Sequence, residues 1–204
     1  MNEAVKTKGL VKVYRGKETV EALKGISISI GKGELFTLLG PNGAGKTTFL
    51  RIIATQLMPT KGDAYVLGYN VLTEPKEVRR RIAVVPQDVA AYSGYTPWDY
   101  AYNFAKLRGM SSSDAKQAAH KALTAVDVEQ LKNRTCATLS GGEKRRALIA
   151  ACLASDADCF MQDEPTSGLD AVARRGVWSA LREIVKEGKT ILLTTHMMEE
   201  AEMV

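Results

Sequence analysis

The sequence has no long apolar run and few cysteines, and both absences narrow the classes of protein it can encode. None of its hydrophobic stretches approaches the roughly 20 residues that a membrane-spanning helix needs. Residues 1–8 are polar, so no signal peptide is expected and the pattern predicts a cytosolic protein. Cys136, Cys152 and Cys159 are odd in number and lack the spacing of metal ligands, which favours buried, reduced thiols over a disulfide framework.

The composition is that of an ordinary globular domain with a basic surface. The 204 residues are 45% hydrophobic and 25% charged, enough for one well-packed domain with a subdomain. A net charge of +5 would suit an anionic substrate, an anionic membrane surface or nucleic acid, and does not choose among them. We interpret the basic triplets at 79–81 and 144–146 as solvated helix faces rather than binding patches.

Strand and helix patterns alternate along most of the chain. Predicted strands are Lys8–Tyr14, a half-buried strand through Ile26, Ile28 and Ile30, the buried strands 35–39, 82–85, 159–161 and 190–194, and the strand 63–67. Predicted helices are 74–81, 171–187 and a nearly pure helical region at 97–153, with Pro97 in a first turn and a cap at 111–114. Such alternation predicts an α/β fold with a largely parallel sheet and ligands at its carboxyl edge, preceded by an antiparallel N-terminal region.

A glycine-rich loop between the strand 35–39 and an amphipathic helix predicts a phosphate site. The loop and first helical residues are Gly40, Pro41, Asn42, Gly43, Ala44, Gly45, Lys46, Thr47 and Thr48. Glycines allow successive N–H groups to approach phosphate oxygens, and the helix N-terminus adds partial positive charge. Lys46 would bridge the β- and γ-phosphates, and the Thr47 hydroxyl would bind Mg²⁺. An ordinary strand-to-helix turn is the alternative, which the flanking strand and helix disfavour.

Two adjacent acids, Asp163 and Glu164, follow the strand at 159–161 and should lie at the same sheet edge as the loop. Because successive side chains alternate, the two cannot share one role. One would hold Mg²⁺ through water, while the other polarises an attacking water as general base. An isolated pair of this kind is more often a helix cap or a solvated turn.

A second anion-binding helix end is predicted at Leu139-Ser140-Gly141-Gly142-Glu143. Ser140 is a good cap, and the two glycines leave the first backbone N–H groups uncovered. The alternative is plain capping next to a flexible turn.

Taken together, these motifs resemble those of a known family. The loop 40–48, the pentapeptide 139–143, the acids 163–164, the tetrapeptide 167–170, Gln87 and His196 occur in the order found in the ATP-binding cassette (ABC) ATPases. The similarity extends from Val11 to Glu202. The segments 62–87 and 188–202 are most similar to the drug-export branch, the daunorubicin-resistance type.

The resemblance assigns roles to matching residues. Tyr14 matches the aromatic residue that stacks on adenine, although its strand pattern also permits a packing role. Gln87 matches the glutamine that contacts Mg²⁺ and relays the nucleotide state to a membrane partner; from the residues alone it is a loop amide. His196 matches the histidine that contacts the γ-phosphate and positions water. Glu164 is assigned as the base, which leaves Asp163 for the metal.

The resemblance also implies a site shared between two copies. Ser140, Gly141 and Gly142 match the signature that binds the γ-phosphate of ATP held by the other protomer, and Asp170 would lie in a loop linking the two sites. The chain is therefore expected to bind ATP and Mg²⁺ as a homodimer or pseudo-symmetric dimer of cassettes. It is further expected on the cytoplasmic face of a membrane, with an integral membrane permease contacting residues 87–95.

The fold implied is an α/β P-loop NTPase with a RecA-like parallel sheet, an N-terminal antiparallel β subdomain and an inserted α-helical subdomain. Residues 1–87 would form the first part of the core, 88–155 the helical subdomain and 156–204 the second part of the core. Relatives continue with another strand pair where this chain stops at Val204, so a truncated chain is expected.

The leading hypothesis is the ATP-hydrolysing motor subunit of an exporter. The alternative is a soluble ABC ATPase acting on nucleic acid or ribosomes, for which the basic charge is the only support; no nucleic-acid partner is expected. A nucleotide-binding switch without hydrolysis is a third reading, which the presence of Glu164 and His196 disfavours.

Four residues depart from the family pattern or match nothing in it. Glu143 replaces the usual glutamine, and an acid near a polyphosphate is mildly unfavourable. Gln162 replaces an aliphatic residue, so we expect either a wetter strand position or a neighbour that satisfies the amide. Ala171 replaces a common proline with little expected effect. His120 matches no motif and is interpreted as a surface residue.

Overall fold

Among the described residues the α-helices begin after the phosphate loop, and three of them follow one another between residues 97 and 154. The structure, a computed structural model, describes residues 2–87 and 91–201. The strands are β1 (Glu3–Arg15), β2 (Thr19–Ile26), β3 (Ser29–Gly31), β4 (Leu35–Leu39), β5 (Lys61–Val66), β6 (Tyr69–Asn70), β7 (Ile82–Val85), β8 (Cys159–Asp163) and β9 (Thr190–Thr195). The helices are α1 (Lys46–Ile53), α2 (Pro75–Arg81), α3 (Pro97–Leu107), α4 (Ser112–Ala125), α5 (Gly141–Ala154), α6 (Ala171–Lys186) and α7 (Met198–Ala201), with 3₁₀ turns at Glu129–Leu131 and Cys136–Thr138.

The strands form two sheets of different type. An antiparallel sheet has the order β2-β1-β5-β6, with β3 also paired to β1. The second sheet, in the order β4-β9-β8-β7, is parallel throughout. Parallel pairing brings the carboxyl ends of its four strands to one edge, and the segments that begin at residues 40, 86, 164 and 196 all start there.

The parallel sheet lies between two apolar clusters. Successive residues of β8 point to opposite faces, so Met161 packs in a cluster with α1 and the antiparallel sheet, while Phe160 packs with helices α4 to α6. Leu50 and Ile53 of α1 are fully buried in the first cluster, and Trp178 of α6 is buried in the second. Burying each such side chain contributes about 1.5–3 kcal/mol, which fixes the sheet edge between two packed layers.

Helix starts in the helical region follow the predicted capping pattern. Thr96 and Asp99 form a capping box at α3, with Pro97 in the first turn, and the Ser111 hydroxyl accepts the Asp114 N–H at α4. Both predictions for this region are confirmed.

The N-terminal strands differ from the prediction. β1 begins at Glu3 rather than Lys8, and the expected single strand through Ile26, Ile28 and Ile30 is wrong because β2 ends at Ile26 and β3 begins at Ser29. At the break, the Thr7 hydroxyl donates to the Ile26 carbonyl at 3.0 Å and accepts the Ile28 N–H at 3.1 Å. One side chain therefore replaces a ladder contact, which strand periodicity cannot reveal.

The strand before the phosphate loop has the predicted bounds but not the predicted burial. β4 lies at the edge of the parallel sheet, so its residues are half-buried and Leu39 is 44% exposed. No helix within the described ranges is long and apolar enough to cross a membrane. The predicted start of the helical subdomain and part of the predicted permease contact fall on residues 88–90, which lie outside the described residues.

Candidate nucleotide site

The glycine-rich loop joins β4 to α1 and depends on glycine at two positions. Gly43 and Gly45 have φ values of +82° and +89°, in the left-handed region that favours glycine. A Cβ atom on Gly45 would lie 2.3 Å from the carbonyl oxygen of Ala22 in β2. The loop is therefore pressed against the antiparallel sheet, and α1 starts directly after it, with Gly45 as its N-cap.

A cleft of about 250 Å³ opens at this loop. It is lined by Ala22, the residues 42–48, Gln87 and Glu164. The Lys46 side chain is almost fully buried, and its ammonium donates to the carbonyls of Gly40 at 2.7 Å and Pro41 at 3.0 Å. A positive charge, a helix N-terminus and two threonine hydroxyls thus share one concave surface, which is the chemistry that binds a polyphosphate.

Three predicted residues from three strand ends meet at Glu164. Its Oε2 accepts a hydrogen bond from Gln87 Nε2 at 3.2 Å, and its Oε1 lies 3.0 Å from His196 Nδ1. The Glu164 residue is buried, whereas the His196 side chain is 44% exposed. The structure therefore holds one carboxylate between an amide and an imidazole at the wall of the cleft.

The two adjacent acids have different surroundings, as the strand alternation predicts. Asp163 is buried, and its Oδ1 accepts the Thr194 hydroxyl. The Glu164 N–H donates both to the carbonyl and to the hydroxyl of Thr194 in β9, at 3.2 and 3.1 Å. Glu164 has φ +48°, a left-handed conformation that costs a non-glycine residue roughly 1–2 kcal/mol. The sheet contacts hold the acid in this turn.

The donors predicted for a metal fit Mg²⁺. They are the Thr47 hydroxyl, the Gln87 amide oxygen and the Asp163 carboxylate, all hard oxygen atoms. Mg²⁺ uses one or two carboxylates together with substrate phosphates and waters rather than a dedicated protein cage. No cluster of three or more histidine, cysteine or acidic side chains suited to a metal occurs among residues 2–87 and 91–201.

The Ser140 helix end does not line this cleft. Ser140 caps α5, its hydroxyl accepts the Glu143 N–H at 3.2 Å, and its own N–H donates to the Glu143 carboxylate at 2.7 Å. Hydrogen bonding of the Glu143 carboxylate to the backbone and the side chain of Ser140 lowers the pKa of Glu143. The departure at Glu143 therefore has a local role in a capping box. Ser140 and Gly141 are exposed, and nothing lies within 4 Å of a Cβ placed on Gly141.

Tyr14 and Asp170 do not line the cleft, and each makes local contacts. The Tyr14 ring is 40% exposed, which does not fit a core packing role, and its hydroxyl lies 3.3 Å from the Thr48 hydroxyl. Asp170 caps α6 by accepting the N–H groups of Val172 and Ala173, each at 2.9 Å. These backbone hydrogen bonds lower the pKa of Asp170 and account for its position without a second copy.

The interpretation of the basic triplet at 144–146 as a solvated helix face is wrong for Arg145 and Arg146. The guanidinium of Arg145 donates to backbone carbonyls next to Gln87 and Glu164, and that of Arg146 donates to the carbonyls of Val126 and Asp127. Neither is a solvated helix face. A basic triplet on a helix carries no sequence signal that separates inward from outward side chains, so sequence reasoning had no means of finding these contacts.

The neighbour expected for the Gln162 amide is not found among the described residues. Gln162 is 0% exposed, and neither its Nε2 nor its Oε1 has a hydrogen-bond partner among the described residues. The side chain is therefore closed to bulk solvent, and no described neighbour satisfies the amide.

The cysteines and His120 behave as expected. Cys136, Cys152 and Cys159 are free and buried, and burial raises the pKa of Cys152 and of Cys159 to about 12. His120 is half exposed, with Nδ1 2.9 Å from Glu129 Oε1. Neither His120 nor the thiols lie at the cleft.

The family described as ABC transporter matches residues 23–167, a span that runs from β2 through the loop, α5 and the strand-end acids. The chain belongs to the ABC transporter family. The resemblance inferred from the motifs is thereby confirmed.

Two bacterial ABC proteins are similar over nearly the whole chain. The daunorubicin/doxorubicin resistance ATP-binding protein DrrA of Streptomyces peucetius is 39% identical over 199 residues, covering 98% of this chain and 59% of its own length. The Nod factor export ATP-binding protein I of Ralstonia nicotianae is 40% identical over 194 residues, covering 95% of this chain and 60% of its own length. The chain thus spans about three fifths of these ABC relatives.

A solved structure supports the fold. The ATP-binding cassette MJ0796, in a dimeric post-hydrolysis state bound to ADP and Pi, superposes with a TM-score of 0.88 at 28% identity. The match covers 98% of this chain and 90% of that one. The predicted P-loop NTPase fold class, with its parallel sheet, antiparallel sheet and helical region, is confirmed.

Proposed function

We propose that this chain is the ATP-hydrolysing part of an ABC transporter, which binds MgATP between two copies and drives a membrane partner in export. The observation that carries the proposal is the Glu164 carboxylate, held between Gln87 and His196 at the wall of the Lys46 cleft. A switch without hydrolysis would not need a positioned base.

The chemistry assigned to the site is phosphoryl transfer to water. Glu164 accepts a proton from the attacking water while the water oxygen bonds to the γ-phosphorus and the bond to the β-phosphate oxygen breaks, giving ADP and phosphate. His196 orients the carboxylate and the water, and Lys46 with the loop N–H groups binds the phosphate charge. Thr47, Gln87 and Asp163 would hold Mg²⁺, which neutralises charge on the phosphates when bound.

A second copy completes the site in this proposal. Ser140 and Gly141 are exposed at the start of α5 and do not line the cleft of their own chain. The Ser140 N–H donates to Glu143, so the groups offered to a phosphate held by another copy are the Ser140 hydroxyl and the Gly141 N–H. The dimeric state of the MJ0796 cassette supports this arrangement by similarity. Tyr14 is assigned to adenine stacking because its ring is exposed beside Thr48.

An apolar groove next to Gln87 is the proposed contact with the membrane partner. The groove, about 400 Å³, runs between β7, α3 and α5, and Phe104 and Leu107 at its rim are 42% and 82% exposed. Arg108 also lines it and continues into a basic surface on α2 formed by Lys76, Arg79 and Arg80. This combination fits an amphipathic segment of the permease that carries apolar and acidic side chains. In this proposal the chain lies on the cytoplasmic face of the membrane.

Export is the proposed direction because the names of DrrA and of the Nod factor protein refer to drug resistance and to export. The alternative, a soluble ATPase acting on nucleic acid or ribosomes, is favoured only by the basic charge. The exposed apolar rim of the groove favours a protein partner over a polyanion.

The first test is Glu164→Gln. Loss of the base should lower turnover by about 10²-fold or more, while ATP still binds and light scattering shows a dimer that forms with ATP. The matched control is Glu199→Gln, which neutralises an exposed glutamate near His196 and should hydrolyse ATP like the wild type. Turnover near the wild-type rate in Glu164→Gln would refute the assignment of Glu164 as the general base.

The membrane partner is tested by affinity purification from membranes. A polytopic membrane protein should copurify with the wild type and with Met58→Glu, but not with Leu107→Glu. Met58 is the control because, like Leu107, it is an exposed apolar residue, but it does not line the groove. Recovery of RNA or ribosomes instead would favour the alternative function.

A further inference from the structure

Arg145 lies in the second turn of α5, and its guanidinium donates hydrogen bonds to two separate loops. Nη1 donates to the carbonyls of Pro86 at 2.7 Å and Gln87 at 3.1 Å. Nη2 donates to the carbonyls of Asp163 at 2.6 Å and Glu164 at 3.1 Å, and Nε donates to that of Pro165 at 3.3 Å. The side chain thus contacts the segments that follow both β7 and β8.

These acceptors are backbone carbonyls at the point where the sheet ladder ends. Strands that stop pairing leave carbonyl oxygens that need another donor. A guanidinium has five N–H groups in one plane and no acceptor, and here it meets five carbonyl oxygens. A charged, planar donor of this kind can fix two strand ends relative to each other, which a water molecule could not.

The residues fixed in this way carry the groups of the proposed site. Glu164 is held on both sides, since its N–H is bound by Thr194 and its carbonyl by Arg145, and its left-handed φ of +48° needs such support. The same guanidinium also donates to the carbonyl of Gln87. The side chains of Gln87 and Glu164 are hydrogen bonded to each other, with 3.2 Å between Nε2 and Oε2. Arg145 itself is absent from the lining of the cleft.

We propose that Arg145 is a positioning residue that sets the Gln87 and Glu164 side chains for hydrolysis and links them to the signature end of its own helix. The inference rests on the proposed function. Ser140 starts α5 five residues earlier, about 7.5 Å along the helix axis. A phosphate bound at Ser140 by one copy would therefore act through a rigid helix turn on the base that serves the other site.

The test compares Arg145→Gln, Arg145→Lys and the control Arg146→Gln. Arg146 lies on the same helix and also donates to backbone carbonyls, but to those of Val126 and Asp127 away from the cleft. We expect Arg145→Gln to lower kcat by about 10- to 100-fold, because small misplacements of reacting groups have effects of this size. The Kd for a fluorescent ATP analogue should stay within about twofold, since the loop contacts of Lys46 are untouched. Arg145→Lys should recover only part of kcat, because its ammonium keeps the positive charge but has fewer N–H donors than a guanidinium.

Hydrogen exchange gives a readout that does not depend on hydrolysis. Peptides covering 86–87 and 163–167 should exchange faster in both Arg145 variants, whereas Arg146→Gln should change only the peptide around 126–127. Unchanged kcat in Arg145→Gln, an equal loss of kcat in Arg146→Gln, or faster exchange spread over the whole chain would overturn the inference. If Arg145→Gln does not fold, Arg145→Lys carries both measurements. A wild type that binds ATP without hydrolysing it would refute the proposed function, while the exchange pattern would still decide whether Arg145 fixes the two loops.

Discussion

Replacing Gln162 with methionine should make this protein more stable. Gln162 lies in β8, between Val85 of β7 and Leu193 of β9 in the sheet register, and both neighbours are buried apolar residues. The amide is fully buried and neither of its polar atoms is hydrogen bonded among the described residues. Methionine has nearly the same length and volume but no group that requires a hydrogen bond.

The size of the effect follows from the desolvation of the amide. A buried polar group without a partner costs about 1–3 kcal/mol in protein mutational data. Packing contacts are largely kept, so Gln162→Met should raise the free energy of unfolding by about 2 kcal/mol, and the Tm of a chain of this size by about 4–8 °C.

Urea unfolding followed by circular dichroism, with linear extrapolation to water, measures this free energy, and a thermal scan gives the Tm. Gln56→Met is the control, since Gln56 is exposed and its replacement should change stability by less than about 0.5 kcal/mol. A Gln162→Met variant less stable than the wild type would refute the reasoning, because it would mean that the amide makes hydrogen bonds in solution, for instance to an internal water.

Three further predictions concern the loop, a helix cap and the thiols. Gly45→Ala should lower unfolding free energy by about 2–4 kcal/mol and weaken ATP binding, because its Cβ meets a backbone carbonyl at a positive φ, whereas Gly43→Ala has open space and should cost about 1 kcal/mol. Denaturant titrations with both variants check this difference. Glu143→Ala should cost about 0.5–1 kcal/mol at pH 7. Because folding lowers the pKa of Glu143 below 4.5, its ionised form stabilises the protein above pH 4.5, and the difference from Glu143→Ala should shrink as the pH falls through the folded pKa. A difference that grows with acid would contradict the capping box. Finally, thiol reagents at pH 8 should label no cysteine in the folded protein and all three in urea, since the pKa of Cys152 and Cys159 is about 12 and Cys136 is also buried.

Sequence reasoning located the candidate site because its parts carry local signals. A glycine-rich loop between an apolar strand and an amphipathic helix is encoded within a few residues, and so is an acid pair after a buried strand. Parallel strands then end at one edge, which is sufficient to predict that the loop and the acid pair lie together. Gln87 and His196 were assigned through the family resemblance alone.

Other features depend on contacts far apart in sequence. Arg145 reaches loops 20 and 59 residues away, and the periodicity of α5 cannot tell it from a solvated arginine. Thr7 lies in β1, and its side chain bonds to Ile26 and Ile28 of the neighbouring segment, where the predicted single strand is interrupted. The half-buried state of β4 follows from its place at the sheet edge. Each is a tertiary effect that overrides local propensity.

In the proposed function, the cleft at Lys46 is completed by the helix end of a second copy. Mixing two inactive variants tests it most directly. Lys46→Ala disables the cleft, and Gly141→Asp adds a charge that repels phosphate at an exposed position where the helix start tolerates an acid. In a mixed dimer, one of the two sites combines an intact cleft with an intact helix end. Each variant alone should be inactive, and an equal mixture should regain about a quarter of wild-type turnover, since about half of the dimers are mixed and each has one working site. A mixture as inactive as its components, or full activity of Gly141→Asp alone, would contradict the shared site.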